Sequence, residues 1–244
     1  MIDLHCHILP GVDDGASDLA EALEMARMAA DSGVRTIVAT PHCNIPNSPR
    51  ANFLDRDLLN RFVAFRGAVE EAGIPLKIYG GAEVFCTPQM PQLLQEQKLL
   101  PLAGTKYLLV EFFFDEAPEF MEDCFRRISA LGFVPVIAHP ERYEAVQREP
   151  ALIPRWFRKG YIILLNKGTI LGRLGRRAES TARLILEHGF AHAIASDAHG
   201  TQVRTPHMEQ LRYHLESTYG PGCAQLLLSV NPARILKGQS VVDI

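Results

Sequence analysis

His5 and His7 stand two residues apart near the start of the chain, and Asp197 and His199 repeat that spacing near its other end. Between them come Asp14, His42, Glu83, Glu111 and His139. A lone histidine or carboxylate is ordinarily a hydrogen-bonded structural group. Nine such residues brought together would be costly to bury unless metal ions compensated them. Imidazole and carboxylate donors without thiolate suit manganese, iron or zinc in a reactive centre, not a cysteine-built structural zinc. Several divalent ions would outweigh the four carboxylates and leave the centre locally positive, the sign that attracts a phosphate dianion. Metal-assisted hydrolysis of a phosphate monoester is the chemistry such a centre performs. Arg142 follows His139 by three residues and Arg204 follows His199 by five. Each offers a planar fork to phosphate oxygens, the alternative being a structural pair with a carboxylate such as Glu141.

These residues need elements that deliver them to one place. Strand-like runs are expected at Ile2–His5, Thr36–Thr40, Lys77–Glu83, Tyr107–Phe112, Val134–His139, Tyr161–Asn166 and His192–Ser196. Helical patterns fall between them, near Leu19–Ser32, Leu54–Ala72, Cys124–Leu131 and Thr181–His188, and two more follow at His207–Tyr219 and Cys223–Ser229. Asp18 or Ser17 is a ready N-cap for the first helix, and Gly33 its left-handed stop. Alternation at this spacing indicates parallel strands with helical crossovers. Seven units point to a barrel one unit short of the usual eight, with a doubly wound open sheet as the alternative. In a barrel every strand C-terminus opens on one rim. The nine candidate ligands lie at or just beyond six of those ends.

Composition narrows the reading. The 244 residues, 47% hydrophobic, suffice for one domain with a sizeable core. A formal charge of −3 gives no reason to expect nucleic-acid or acidic-membrane binding. No leader-like basic-then-apolar segment and no bilayer-length apolar run is visible, so a cytoplasmic location without membrane insertion is expected. The five cysteines are scattered and form no Cys-x-x-Cys pair, as in a reducing compartment. Cysteine-based phosphatase chemistry is excluded. Six residues after Cys6, Cys43, Cys86, Cys124 and Cys223 stand Val12, Pro49, Gln92, Ala130 and Ser229, none of them arginine. His188, His192, His207 and His214 lack ligand-like partners and read as structural.

The string Asp3-Leu4-His5-Cys6-His7-Ile8-Leu9-Pro10-Gly11-Val12-Asp13-Asp14-Gly15 resembles the opening of the polymerase-and-histidinol-phosphatase (PHP) superfamily. More narrowly, it resembles the bacterial capsule and exopolysaccharide tyrosine-protein phosphatases of that superfamily. Ala39-Thr40-Pro41-His42, Gly81-Ala82-Glu83-Val84, Val110-Glu111-Phe112, Ala138-His139-Pro140-Glu141-Arg142-Tyr143 and Ala195-Ser196-Asp197-Ala198-His199 match in order. The resemblance implies a distorted (β/α)7 TIM-like barrel of the PHP type, one domain over residues 1–244, with three divalent ions, manganese first, iron or zinc also compatible. It implies His5, His7, Glu83 and Asp197 around one ion, Glu83 shared with Glu111 and His139 around a second, and Asp14, His42 and His199 around a third. Arg142 and Arg204 would grip the phosphate. The implied substrate is phosphotyrosine on a bacterial tyrosine kinase that controls polysaccharide export. Cys43 replaces a second histidine often found in the family, and Phe112, Phe113 and Phe114 stand where a proline commonly comes early. A small-molecule phosphatase such as a histidinol phosphatase is the alternative, and a non-catalytic metal-binding regulator a third. Neither oligomeric state nor the particular kinase is legible.

Overall fold

Residues 1–49 and 51–243 are described by the structure, a computed structural model. Nine strands alternate with helices among them: β1 Ile2–Cys6, β2 Thr36–Ala39, β3 His42–Cys43, β4 Lys77–Gly80, β5 Glu83–Phe85, β6 Tyr107–Glu111, β7 Val134–Ala138, β8 Ile162–Asn166 and β9 Ala193–Ala195. All pairings are parallel, in the orders β1-β2-β4 and β3-β5-β6-β7-β8-β9. The sheet curls until its last strand returns to its first. Asp197 N–H donates to His5 O at 2.9 Å, and His7 N–H to Ala198 O at 2.9 Å. This closing contact argues against a flat doubly wound sheet.

Two of the seven expected strands are each broken in two. Thr36–Thr40 ends early, and His42–Cys43 resumes in the other sheet beyond Pro41, which has no N–H for the ladder. Lys77–Glu83 divides at Gly81-Ala82, so Glu83 begins β5 instead of ending a strand. At Gly81 an added Cβ would lie 2.9 Å from Val38 Cγ1 and 3.1 Å from Leu102 Cδ2, so only glycine permits the step.

The helices follow the expected pattern with shifted ends. Leu19–Asp31 is capped by Asp18, whose carboxylate accepts from Glu21 N–H at 2.9 Å, and it buries Ala22, Met25, Ala26 and Ala29. Gly33 ends it at φ 91°. Arg56–Glu71 starts two residues later than anticipated because Asp55 caps it through Leu58 N–H. Pro118–Ala130 and Arg176–Glu187 begin earlier than their apolar stripes imply. Met90–Gln95 and Leu152–Arg158 are too short for periodicity to announce. Among the described residues no helix is long and apolar enough to cross a membrane.

One core lies between sheet and helices, around Met25, Phe65, Phe125, Trp156 and Ile185. A smaller one fills the curl, with Leu4, Val38, Leu109, Val136, Leu164 and Ala195. Ile235 closes the end opposite the ligand-bearing rim, where Asn231 donates to His192 O and exchanges bonds with Val242. His192 is a core residue: it stacks on Phe157 at 4.7 Å, and its Nδ1 accepts from Ile163 N–H. Burial holds its pKa down to about 4, against the opposing pull of Asp243. Below the ordinary value the unfolded chain takes a proton that the fold refuses. Stability contributed by neutral His192 is therefore complete above about pH 6.5 and lost as pH falls towards 4, by about 3 kcal/mol. Urea melts across that range should show His192→Asn with a flatter pH dependence than the parent; parallel curves would refute this assignment.

Candidate metal centre

Strict alternation along β1 would send Leu4 and Cys6 to one side. Leu4 indeed packs inside the curl, yet Cys6 packs outside it, because the register slips between Asp3 and Cys6. That bulge turns His5 and His7 inward at the rim. Asp3, fully buried, steadies it by accepting from Ser196 N–H at 3.0 Å and more distantly from His5 N–H. Asp13 accepts from Gly15 N–H and His42 N–H and pairs with His7 Nδ1 at 2.7 Å. This pairing leaves His7 Nε2 facing the centre. Gly15 admits no side chain, since a Cβ there would lie 1.9 Å from His7 O.

Glu83 sits in the middle. Its Oε2 is 3.2 Å from Nε2 of both His5 and His7 and 3.1 Å from His42 Nδ1, while Oε1 is 3.0 Å from His139 Nε2. Glu111, the last residue of β6, meets His42 Nδ1 at 2.8 Å. His139 and Asp197 are just past β7 and β9 in left-handed backbone, φ 36° and 49°. For residues with a Cβ such conformations are strained and occur where the surroundings impose them. Asp197 Oδ1 is 3.6 Å from His5 Nε2 and 3.7 Å from His7 Nε2. Asp14, largely exposed, approaches His42 Nε2 at 3.4 Å and His199 Nε2 at 3.5 Å. All nine expected residues therefore converge. Among the described residues, three groupings of ligand atoms are close enough to hold an ion: His5, His7 and Glu83; His42, Glu83 and Glu111; and His7, Asp14, His42 and His199. His42 thus has one nitrogen towards Glu111 and the other towards Asp14, a double exposure that its motif does not reveal.

The donor set fits metal ions on its own chemistry. His139 Nδ1 is buried with no hydrogen-bond partner, and Glu83 Oε2 and His199 Nε2, though close to imidazole nitrogens and to Asp14 respectively, make no aligned hydrogen bond. Burial alone would lower His7, but Asp13 and Glu83 outweigh it and push the imidazole up to about 9. Glu111 and Glu83 likewise overcome burial at His42 and push it up to about 12. His139 is raised against burial by Glu83. Glu83 is held well below the carboxylate range, against burial, by His5 and the other imidazoles. His199 goes the other way, down to about 3, through burial and the neighbouring His7 and Arg204.

Arg142 and Arg204 stand at the mouth, both turned to Asp197: Arg204 Nη2 is 2.5 Å from Oδ1, and Arg142 Nη1 is 3.7 Å from Oδ2. Neither pairs with Glu141, which is buried and accepts from Asn166 N–H. Asn166 in turn donates to Asp197 Oδ2. Lys167 donates to Thr205 O and His207 O, anchoring the loop that carries Arg204. Asp3, Asp13, Asn166 and Lys167 escaped the sequence reading. Asp3 and Asp13 carried a signal, their place in the Asp3–Gly15 string, whereas Asn166 and Lys167 carried none.

Protonated imidazoles must give up protons to bind a metal. Manganese titrated into metal-free protein at pH 7 should release protons, and its affinity should rise with pH through about 9, the value for His7, and on towards about 12, the value for His42. Calorimetry in buffers of different ionisation enthalpy reads this directly; equal apparent enthalpies would exclude it. Asp13→Asn, which no longer fixes the His7 tautomer, should weaken manganese binding about 10- to 100-fold with little change in melting temperature. Unchanged affinity would leave Asp13 without an orienting role.

The profile of the family described as "Capsular polysaccharide synthesis, CpsB/CapC" matches residues 1–237. The chain is 36% identical over 244 residues to "Tyrosine-protein phosphatase YwqE" of Bacillus subtilis, covering 99% of this chain and 93% of that one. It is 29% identical to "Tyrosine-protein phosphatase CpsB" of Streptococcus pneumoniae, covering 99% and 100%. A crystal structure from work on YwqE and CpsB, called there "unique metal-dependent tyrosine phosphatases", superposes with a TM-score of 0.92 at 35% identity, over 100% of this chain and 97% of that one. The rim geometry and these likenesses agree, and the chain belongs to the CpsB/CapC family of capsular polysaccharide synthesis.

Proposed function

We propose that the chain is a metal-dependent tyrosine-protein phosphatase, a single catalytic domain built as a distorted barrel of seven β/α units. The observation that carries this reading is Glu83 enclosed by His5, His7, His42 and His139, beside two arginines at an open mouth. His5, His7, Glu83 and Asp197 would hold one divalent ion, Glu83 with Glu111 and His139 a second, and Asp14, His42 and His199 a third, with manganese the first candidate. Bound there, such ions supply Lewis acidity and a water of lowered pKa.

The protein's own groups do the rest. Asp13 keeps the proton on His7 Nδ1, so that Nε2 offers its lone pair inward. Glu83 and Asp197 are both held below the ordinary carboxylate range, against burial, by His5 and the neighbouring positive groups. Arg142 and Arg204 share Asp197, and a phosphate dianion is a stronger claimant on both forks. Their release from Asp197 would seat the ester over the centre and neutralise charge that grows on its oxygens. The substrate is read as phosphotyrosine on a bacterial tyrosine kinase of capsule or exopolysaccharide export. Five free cysteines, four of them buried, fit the cytoplasmic location that this partner requires.

Hydrolysis of a phosphotyrosyl peptide should vanish with chelator and return with manganese. His139→Ala should reduce kcat at least about 1,000-fold, since it removes a metal-facing imidazole. Chelator-resistant turnover would defeat the metal reading. Preference for histidinol phosphate by orders of magnitude would defeat the tyrosine reading and leave the metal reading standing.

A further inference from the structure

The three phenylalanines after Glu111 divide sharply. Phe112 is buried behind the rim, whereas Phe113 and Phe114 remain 53% and 45% exposed. Phe114 lies over Arg142, its ring centroid 4.3 Å from the guanidinium carbon, and it also faces His139 at 5.9 Å. Phe113 leans edge-on against Phe85 of β5 at 4.6 Å. The backbone beneath is held: Glu116 N–H donates to Phe113 O at 3.1 Å, and Glu144 N–H to Phe114 O at 2.8 Å. Tyr143 is fully buried support, its hydroxyl accepting from Phe112 N–H. Two adjacent aromatic rings thus present open faces to solvent beside the centre, on a fixed backbone.

We propose that Phe113 and Phe114 form a shelf for the aromatic ring of the substrate and set the preference for aryl over alkyl phosphate esters. The inference rests on the phosphatase reading above, and specifically on Arg142 meeting the phosphate. Phe114 covers one face of the guanidinium, so the N–H edge is what remains for phosphate oxygens. In an aryl ester one bridging oxygen joins phosphorus to the ring. A phosphate seated at that edge therefore brings its ring beside the side chain that covers Arg142. Offset or edge-to-face contact with Phe114, extended by Phe113, stabilises an aromatic group and offers an alkyl group only area. The half-exposed rings also have apolar surface to lose to such a ligand.

Phe113→Leu and Phe114→Leu keep an apolar side chain and remove the π face. Both positions are partly exposed, so neither substitution opens the core. For manganese-loaded parent and each variant, kcat/KM should be measured on phenyl phosphate and on glycerol 2-phosphate. The aryl-to-alkyl ratio should fall about tenfold in Phe114→Leu and less in Phe113→Leu, through a rise in KM for phenyl phosphate. An unchanged ratio overturns the shelf: activity falling equally on both esters would show that Phe114 merely seats Arg142. Loss confined to phosphotyrosyl protein, with phenyl phosphate spared, also overturns it and makes the rings a protein-docking patch. A manganese-loaded parent inactive on every ester removes the phosphatase reading itself, and the shelf with it.

Discussion

The Glu83 carboxylate is fully buried, with imidazole nitrogens of His5, His7, His42 and His139 within 3.2 Å of one or other oxygen. Taking a charge of this kind out of water costs several kcal/mol, so its surroundings must return that energy. Protonated imidazoles can do so, and so can divalent cations, but the two compete for the same nitrogens. The centre therefore couples metal, protons and fold in one balance. Removing Glu83 would take away the one carboxylate that His5, His7, His42 and His139 share, leaving His7 to Asp13 and His42 to Glu111. Each surrounding feature serves to aim a ligand at this carboxylate or to stop it from turning away.

The aiming is done by departures from regular structure. A bulge in β1 reverses the alternation that would hide His5 and His7 among the helices. Left-handed backbone re-aims His139 and Asp197 at the ends of β7 and β9, at a cost of order 1–3 kcal/mol each. Their amides are tied down nonetheless, His139 N–H to Leu164 O and Asp197 N–H to His5 O. Strain is tolerated here because neighbouring strands leave the backbone no alternative. Gly15 and Gly81 act differently, by letting backbone and side chains approach closer than any Cβ allows. The curl of the sheet then brings β9 back to β1, so residues nearly two hundred positions apart share one hydrogen-bonded seam.

The rim shows a second economy. Asp197 faces the centre through Oδ1, yet also holds Arg204 and Asn166 and lies near Arg142. The two arginines are thus kept close to the centre before any phosphate arrives, and less side-chain freedom is lost when it does. Phe114 completes the arrangement by covering Arg142 from one side. The likeness to the solved structure from the work on YwqE and CpsB, a TM-score of 0.92 at 35% identity, shows that one backbone accommodates wide change in side chains.

Much of this was legible in the chain itself. The spacing of His5 and His7, the short apolar runs and the carboxylates at their ends determined that donors of one chemical kind would gather at one end of parallel strands. Element type and order follow from period, and period survives in sequence because a buried parallel strand must be apolar throughout. What the sequence left open depends on contacts between distant residues. Lys77–Glu83 divides at Gly81-Ala82, where Val38, Thr40 and Leu102 crowd the step. Asp13 rather than any other acid orients His7 because the Gly15 turn folds back under it. Tyr143 goes inward while Phe113 and Phe114 stay out. Periodicity assigns a residue to a face, but a one-residue bulge or a single left-handed φ reverses that assignment, and such local exceptions are decided by tertiary packing.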